Sequence, residues 1–334
     1  MVTHQFRAMG SRILTILDAP QARASTRLAD VQGCFDRWEQ SLSRFRPDSE
    51  LSALNRSSGG KASVSPTLAA VLAAALRGAR QTDGLVTPTI LGALEQAGYD
   101  RDFAALADAD AEHAPSALAA AALPVADWRS IRLNERRGTI YLPAGLRLDL
   151  GGIAKGWAAD RAAHALNAVG PALIDAGGDI AVSGPRADGT PWPIGVDDPF
   201  GGNEPLDILL LATGGVATSG RDYRRWQQGS HKRHHIIDPR TGTPADTDLL
   251  SVTVVAASVG EAEVAAKAVL ILGSAAGQAW IEARPWLAGL LVQADGTLIR
   301  TATLDAFRWG AMHTDSPTAT TIAHTDSSGG IPNA

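Results

Sequence analysis

The stretch LDLGGIAKGWAADRAAHAL, Leu148 to Leu166, sets an acid, a base and three glycines within eight residues, ahead of a helical repeat. Glycine is costly in regular structure and is tolerated where backbone bends tightly or approaches something closely. A helix start presents unpaired N–H groups that attract anions. The segment therefore reads as a site for a phosphate-bearing ligand, or as a tight strand-to-helix turn with Lys155 in solvent. The two familiar phosphate loops, GxxxxGK[ST] and a GxGxxG after a strand, are both absent from the chain.

Composition sets the frame for that segment. The chain has 334 residues, 45% hydrophobic and 19% charged, as in an ordinary globular protein of one large domain or two. A net charge of -5 with scattered arginines argues against a nucleic-acid partner. Cys34 is the single cysteine, which excludes a disulfide within the chain. Leu28, Val31, Phe35, Trp38 and Leu42 recur at helical spacing, and Cys34 beside them is expected to be buried. No secretory signal pattern opens the sequence, and no apolar run reaches the roughly 18 residues of a spanning helix, so the expected location is cytoplasmic.

Outward from Leu148, the pattern is one of helices in two clusters and hairpin-linked strands. Phe6 to Leu17 reads as a strand or hairpin, and a helix of about six turns should follow Pro20. Ser65-Pro66 is a cap and first turn for a second helix. Residues 101–127 read as a variable helical insertion, and Arg136-Arg137-Gly138 as a hairpin turn. After the Lys155 helix come strands near Ala172, Asp179, Trp192, Ile208 and Ser251, a helix over 261–272, and a hairpin around Asp295-Gly296. From about 310 the composition is that of a disordered tail. The class is α+β, a single large domain over 1–308 with mixed or antiparallel sheets and flanking helices.

Two further segments carry candidate chemistry. In ATSGRDYRRWQQGSHKRHHIIDPRTGTPA, Ala217 to Ala245, two small-polar bends bracket His231, His234 and His235. Their spacing fits no common zinc finger and no cysteine joins them. Taken alone, His235 reads as a structural histidine bonded to the Asp238 turn. In SVTVVAASVGEAEVAAKAVLILG, Ser251 to Gly273, Glu263 and Lys267 share a helical face four residues apart. An exposed pair of that kind is worth about 0.3–0.5 kcal/mol. Its neighbours are so apolar, however, that a site reading fits better.

Together these segments resemble the FAD:protein FMN transferases, the ApbE family. The matching pieces are Met9-Gly10-Ser11, SRFRPDSELSALN (Ser43 to Asn55), DGLVTPTILGAL (Asp83 to Leu94), DLGGIAKG, DAGGDI (Asp175 to Ile180), ATSG, HHIIDPRTG and SVTVVA. They run in the family's order over almost all of residues 5–308. The resemblance implies an enzyme that splits FAD at its pyrophosphate and attaches FMN through a phosphoester to a threonine or serine of an acceptor flavoprotein, releasing AMP. Alternatives on the same site are a hydrolase giving FMN and AMP, and a flavin-binding protein without catalysis. By resemblance Asp149 and Lys155 contact FAD, and Met9, Phe45, Ala97, Gly98, Tyr99 and Ile237 line the flavin nucleotide. Phe45 replaces a frequent tyrosine, and Ala97 a bulky aromatic, which should thin one wall. His235 matches the base that activates the acceptor hydroxyl.

The family's Mg²⁺ is where this sequence departs. The resemblance implies the Gly152 carbonyl as one ligand and further ligands on the helix after SVTVVA, where the family usually has Asp, then Ser, Ala or Asp, then Thr. Here those positions are Glu263, Ala266 and Lys267. An ammonium about 5 Å from Mg²⁺ costs roughly 6 kcal/mol at an effective dielectric near 20. Either Lys267 points away or its ammonium stands where a metal would, joining Lys155 and His235 as a catalytic group.

Overall fold

Apolar and polar positions alternate too loosely along Ser11–Leu17 for a strand with one wet face, and the structure, a computed structural model describing residues 1–103, 106, 124–228 and 231–312, shows why. Ile13 and Leu17 point to one side, against Phe35, Ala158 and Ala162 of two helices, Gln21–Leu42 and Ala154–Asn167. Leu14 and Ile16 point to the other side, against Trp192, Ile194, Leu209 and Leu211 of a separate hairpin, Trp192–Val196 with Asp207–Leu211. Successive strand residues face opposite ways, so a strand covered on both sides is apolar throughout.

That strand belongs to an eight-stranded sheet with the spatial order Val2–Ala8, Ser11–Leu17, Ala172–Ala176, Ile180–Val182, Gly214–Gly220, Leu249–Ala256, Ala288–Gln293 and Leu298–Arg300. Every neighbouring pair is antiparallel. The first hairpin turns at Met9-Gly10, with φ of 52° and 68°, the positive values a two-residue hairpin loop demands. The expected α+β class holds, with antiparallel pairing throughout this sheet.

A second core lies beside the sheet, built by helix Pro66–Gln81 and a three-stranded sheet of Gly60–Ser63, Thr139–Leu142 and Arg132–Asn134. Ser65 caps that helix by accepting the Leu68 N–H, with Pro66 in its first turn, as the sequence signal requires. Helix Val259–Leu272 joins the two cores. Ala265, Ala266 and Val269 pack on Val252 and Val254 of the large sheet, while Val264 reaches into the second core. A helix apolar on nearly every side is a buried helix.

Some elements differ from the sequence reading. Thr218-Ser219-Gly220, read as a bend, lies inside the central strand Gly214–Gly220. Its small residues hide a packing demand: a Cβ on Gly215 would lie 2.2 Å from the Val259 nitrogen, so only glycine lets the helix start so close. Glu50–Arg56, Leu91–Gln96 and Ser274–Glu282 form short helices that were not expected. Cys34 is half-buried rather than buried, with the Arg37 guanidinium 3.1 Å from its sulfur. Most of the 101–127 insertion, and residues 313–334 of the expected tail, lie outside the described residues; Trp309–Met312 is a short helix. Among the described residues no helix is long and apolar enough to cross a membrane.

Candidate active site

The two cores meet around a cavity of about 690 Å³. One side of it is built by the turn before helix Ala154–Asn167. Asn55 grips that turn from both directions: its amide accepts the Leu148 N–H at 2.8 Å and donates to the Leu148 carbonyl at 2.9 Å. The Asp149 N–H donates to the Pro88 carbonyl, and the Asp149 carboxylate accepts the Gly151 N–H at 2.9 Å. Its other oxygen lies 2.7 Å from Arg44 Nε, and both side chains are buried. Arg44 in turn lies over the rings of Phe45, at 4.0 Å, and Tyr99, at 4.7 Å, and donates to the Tyr99 carbonyl. Arginine's flat guanidinium stacks and pairs at once, so one residue fixes both the acid and the aromatic wall. Burial raises the Tyr99 hydroxyl's pKa against the opposing pull of Arg224 and Arg44.

A charged cluster occupies another part of the wall. The turn after Ala172–Ala176 uses Gly177 and Gly178, with φ of 70° and 89°, to bring round Asp179. The Asp179 carboxylate accepts a hydrogen bond from the Lys155 ammonium. Glu263, 1% exposed, stands between two lysines, with Lys267 Nζ at 2.9 Å and Lys155 Nζ at 4.0 Å from its Oε1. Its Oε2 accepts the Gly156 N–H at 3.2 Å. The helix-start amide expected to attract a ligand anion is thus taken by a protein carboxylate. Burial works against ionising Glu263, but Lys267 and Lys155 outweigh it and hold its pKa below the usual range. Burial likewise opposes the Lys155 charge, and Asp179 and Glu263 reverse that, leaving its pKa raised. For Asp179 burial wins over Lys155, and its pKa is pushed up to about 6.

His235 also lines the cavity, and its buried Nδ1 has no hydrogen-bond partner among the described residues. The structural role first read for it belongs to its neighbour: His234 bonds the Ala245 carbonyl through Nε2 and accepts the Ile236 N–H. The Asp238 carboxylate is engaged by Arg240 instead. Burial, then the charges of Arg224, Lys267, His234 and Lys155, hold the His235 pKa well below its ordinary value, so the ring is neutral near pH 7.

Of the residues singled out from sequence, Met9, Phe45, Tyr99, Asp149, Gly152, Lys155, His235, Ile237, Glu263 and Lys267 all line this cavity. Ala97 and Gly98 do not. They form the turn closing helix Leu91–Gln96, where the Ala97 carbonyl accepts the Trp226 indole N–H at 2.8 Å. Gly98, at φ 92°, adopts a backbone that side chains rarely take, and a Cβ there would lie a tight 3.1 Å from that indole nitrogen. The wall expected to be thin at Ala97 is backed by Trp226, whose ring packs 5.4 Å from Tyr99. Sequence reasoning did not single out Arg44, Asp179 or Arg224, which also line the cavity. Arg44 and Asp179 lie inside the quoted motifs, so position in a motif was the available signal.

The donor set does not fit the Mg²⁺ implied by resemblance. Both Glu263 oxygens are engaged, two ammoniums flank them, and the Lys267 stem covers Gly152, its Cε 3.4 Å from where a Cβ would stand. Among the described residues, no three of His, Cys, Asp or Glu converge as a metal group. A protonated lysine offers no lone pair to a cation.

A sequence profile of the ApbE family matches residues 9–291. The FAD:protein FMN transferase of Treponema pallidum (strain Nichols) is 35% identical over 286 residues, covering 78% of this chain and 75% of that protein. The FAD:protein FMN transferase of Salmonella typhimurium is 28% identical over 297 residues, 86% of this chain and 83% of its own. The crystal structure of the ApbE protein of Thermotoga maritima superposes with a TM-score of 0.78 at 26% identity, over 92% of this chain and 98% of that one. The chain belongs to the ApbE family.

Proposed function

We propose that this protein is an FAD:protein FMN transferase that holds FAD in the cavity between its two cores. The observation that carries the reading is one cavity wall bearing aromatic rings, two lysines and a neutral histidine. Phe45 and Tyr99 offer faces for the flavin, with Arg44 and Asp149 fixing them. Lys155 and Lys267 offer positive charge to the pyrophosphate, where phosphoryl transfer needs electrostatic stabilisation and positioning. His235 is neutral and lines the same cavity, so it can take a proton from a hydroxyl that enters there.

In the reaction this implies, a threonine or serine hydroxyl of the acceptor gives its proton to His235. The hydroxyl oxygen forms a bond to the phosphorus of the FMN half. The P–O bond to the AMP half breaks, its electron pair leaving with AMP. Water in place of the hydroxyl would give the hydrolase reaction by the same steps. Incubating the protein with FAD, with and without a threonine-bearing acceptor, and separating AMP, FMN and flavinylated protein tests the reading. AMP with flavinylated acceptor supports it; AMP with free FMN alone assigns hydrolysis; unchanged FAD reduces the site to binding.

A further inference from the structure

The transferase reading leaves one question about the site: what cation meets the pyrophosphate. We propose that the Lys267 ammonium takes the place of a divalent metal, so that the cavity binds and cleaves FAD without one. The proposal rests on the transferase reading and deepens it.

Three observations converge. The first is direction. Lys267 follows Glu263 by one turn on helix Val259–Leu272, whose remaining faces are packed into both cores. A flexible lysine stem usually carries its ammonium out to water. This one does not: its stem runs over Gly152, and only 17% of the side chain is exposed, at the cavity. The stem thus lies beside Gly152 at ordinary contact distance.

The second is charge. Lys267 and Lys155 converge on the single carboxylate of Glu263, at 2.9 and 4.0 Å, while Asp179 takes a hydrogen bond from Lys155. With both carboxylates ionised the four groups sum to zero. A divalent ion would have to enter beside two ammoniums, while an anionic diphosphate would find two positive groups already in place. The third is valence. An ammonium has three N–H donors; one meets Glu263, and phosphate oxygens accept such bonds strongly. His235 and Arg224 face the same cavity, and His235 is held neutral, so the nearby positive charge rests on Arg224 and the two lysines.

The test reads metal binding and turnover separately on the full-length protein. Mn²⁺ is titrated against the native protein and followed by electron paramagnetic resonance, and AMP release from FAD is measured in Mg²⁺ and in chelator. The expected results are no Mn²⁺ bound at this site and the same AMP release in both buffers. Lys267→Met should lower AMP release by about 10²–10³-fold in both, the loss typical of removing one preorganised charge from a transition state. Lys267→Thr combined with Glu263→Asp should bind one Mn²⁺ and release AMP only with metal, because short oxygen ligands suit a small divalent ion. One Mn²⁺ held by the native protein and freed by Glu263→Gln would overturn the proposal, as would loss of native AMP release in chelator. If FAD is bound but never cleaved in either buffer, the transferase reading fails, and the Mn²⁺ titration still decides the role of Lys267. Should Lys267→Met not fold, both arms on the native protein stand.

Discussion

His234 and His235 are adjacent in sequence and opposite in circumstance. The first is bonded at both ring nitrogens; the second is neutral and half-buried, and its enclosed Nδ1 has no partner among the described residues. Replacing His235 with asparagine should slow FMN transfer by about 10²–10⁴-fold, the usual contribution of a general base, while FAD affinity stays as it was. A variant that transfers at the native rate would remove His235 from the chemistry. The same residue leaves a mark on acid stability. The unfolded chain binds a proton near pH 6.5 that the native imidazole resists, so its share of stability is present above that pH and lost as pH falls. Asp179 acts oppositely, because its pKa is raised in the fold, to about 6, and native protein gains from protonation there. The comparison must therefore be native against His235→Asn, with urea midpoints taken between about pH 7 and about pH 5. The variant should gain on the native protein as pH falls; a constant gap would refute the assignment. Arg44 and Asp149 make a different kind of pair, buried on both sides at 2.7 Å. Arg44→Ala strands the carboxylate and should cost about 3–5 kcal/mol, whereas Arg44→Met with Asp149→Asn should cost less than either charge-stranding change. Denaturant midpoints of the variants check this, and simple additivity of the two losses would count against it.

Helices Ala154–Asn167 and Val259–Leu272 cross where Gly156 meets Gly260, and that approach sets the distance from Lys155 to Glu263. A Cβ on Gly156 would lie 2.7 Å from Glu263 Oε2, 2.9 Å from Val259 Cγ1 and 3.3 Å from the Gly260 Cα. Helix propensity favours alanine over glycine by about 1 kcal/mol. Overpacking a tight crossing costs about 1–3 kcal/mol, and here one obstacle is backbone and cannot rotate away, so the clash wins. Gly156→Ala should lower the urea midpoint with an unchanged slope and weaken FAD binding as Lys155 is pushed off. Gly92, also helical, has nothing within 4 Å of its would-be Cβ, so Gly92→Ala should stabilise by about 0.4–1 kcal/mol. If Gly156→Ala stabilises as much as Gly92→Ala, close approach at Gly156 does not set this crossing. Sequence alone could place both helices from the local helical patterns behind Lys155 and behind the Ser251 strand, although the second begins at Val259, two residues before the expected 261. It could not reveal the strand Gly214–Gly220, because Gly214 and Gly215 make room for Ala256 and Val259, far along the chain, and glycine weakens every strand signal.

The cavity draws its wall from both cores, from Met9 in the first hairpin to Lys267 in the helix that joins them. Each motif was visible in the sequence as an oddity of glycine, acid or base, but nothing local says that Phe45, Asp149 and His235 share one wall. Resemblance supplied that grouping for most of them. Ala97 and Gly98, grouped with them by resemblance, stand behind that wall, against a Trp226 indole from a distant strand. Arg44 and Asp179 escaped notice because their value lies in partners far along the chain, Asp149 and Lys155. A ligand spanning such a wall should couple the two cores. FAD at a hundredfold excess over its Kd should stabilise the fold by about 2.7 kcal/mol, raising Tm by several degrees. At one common concentration FMN should raise Tm less, because FMN can reach the aromatic wall and the lysines but lacks the AMP half that fills the remainder. Thermal unfolding with FAD, FMN and AMP added singly makes the comparison. Equal shifts from FAD and FMN would mean that the protein grips only the flavin end, and the cavity's remaining wall would then have no ligand to explain its charge.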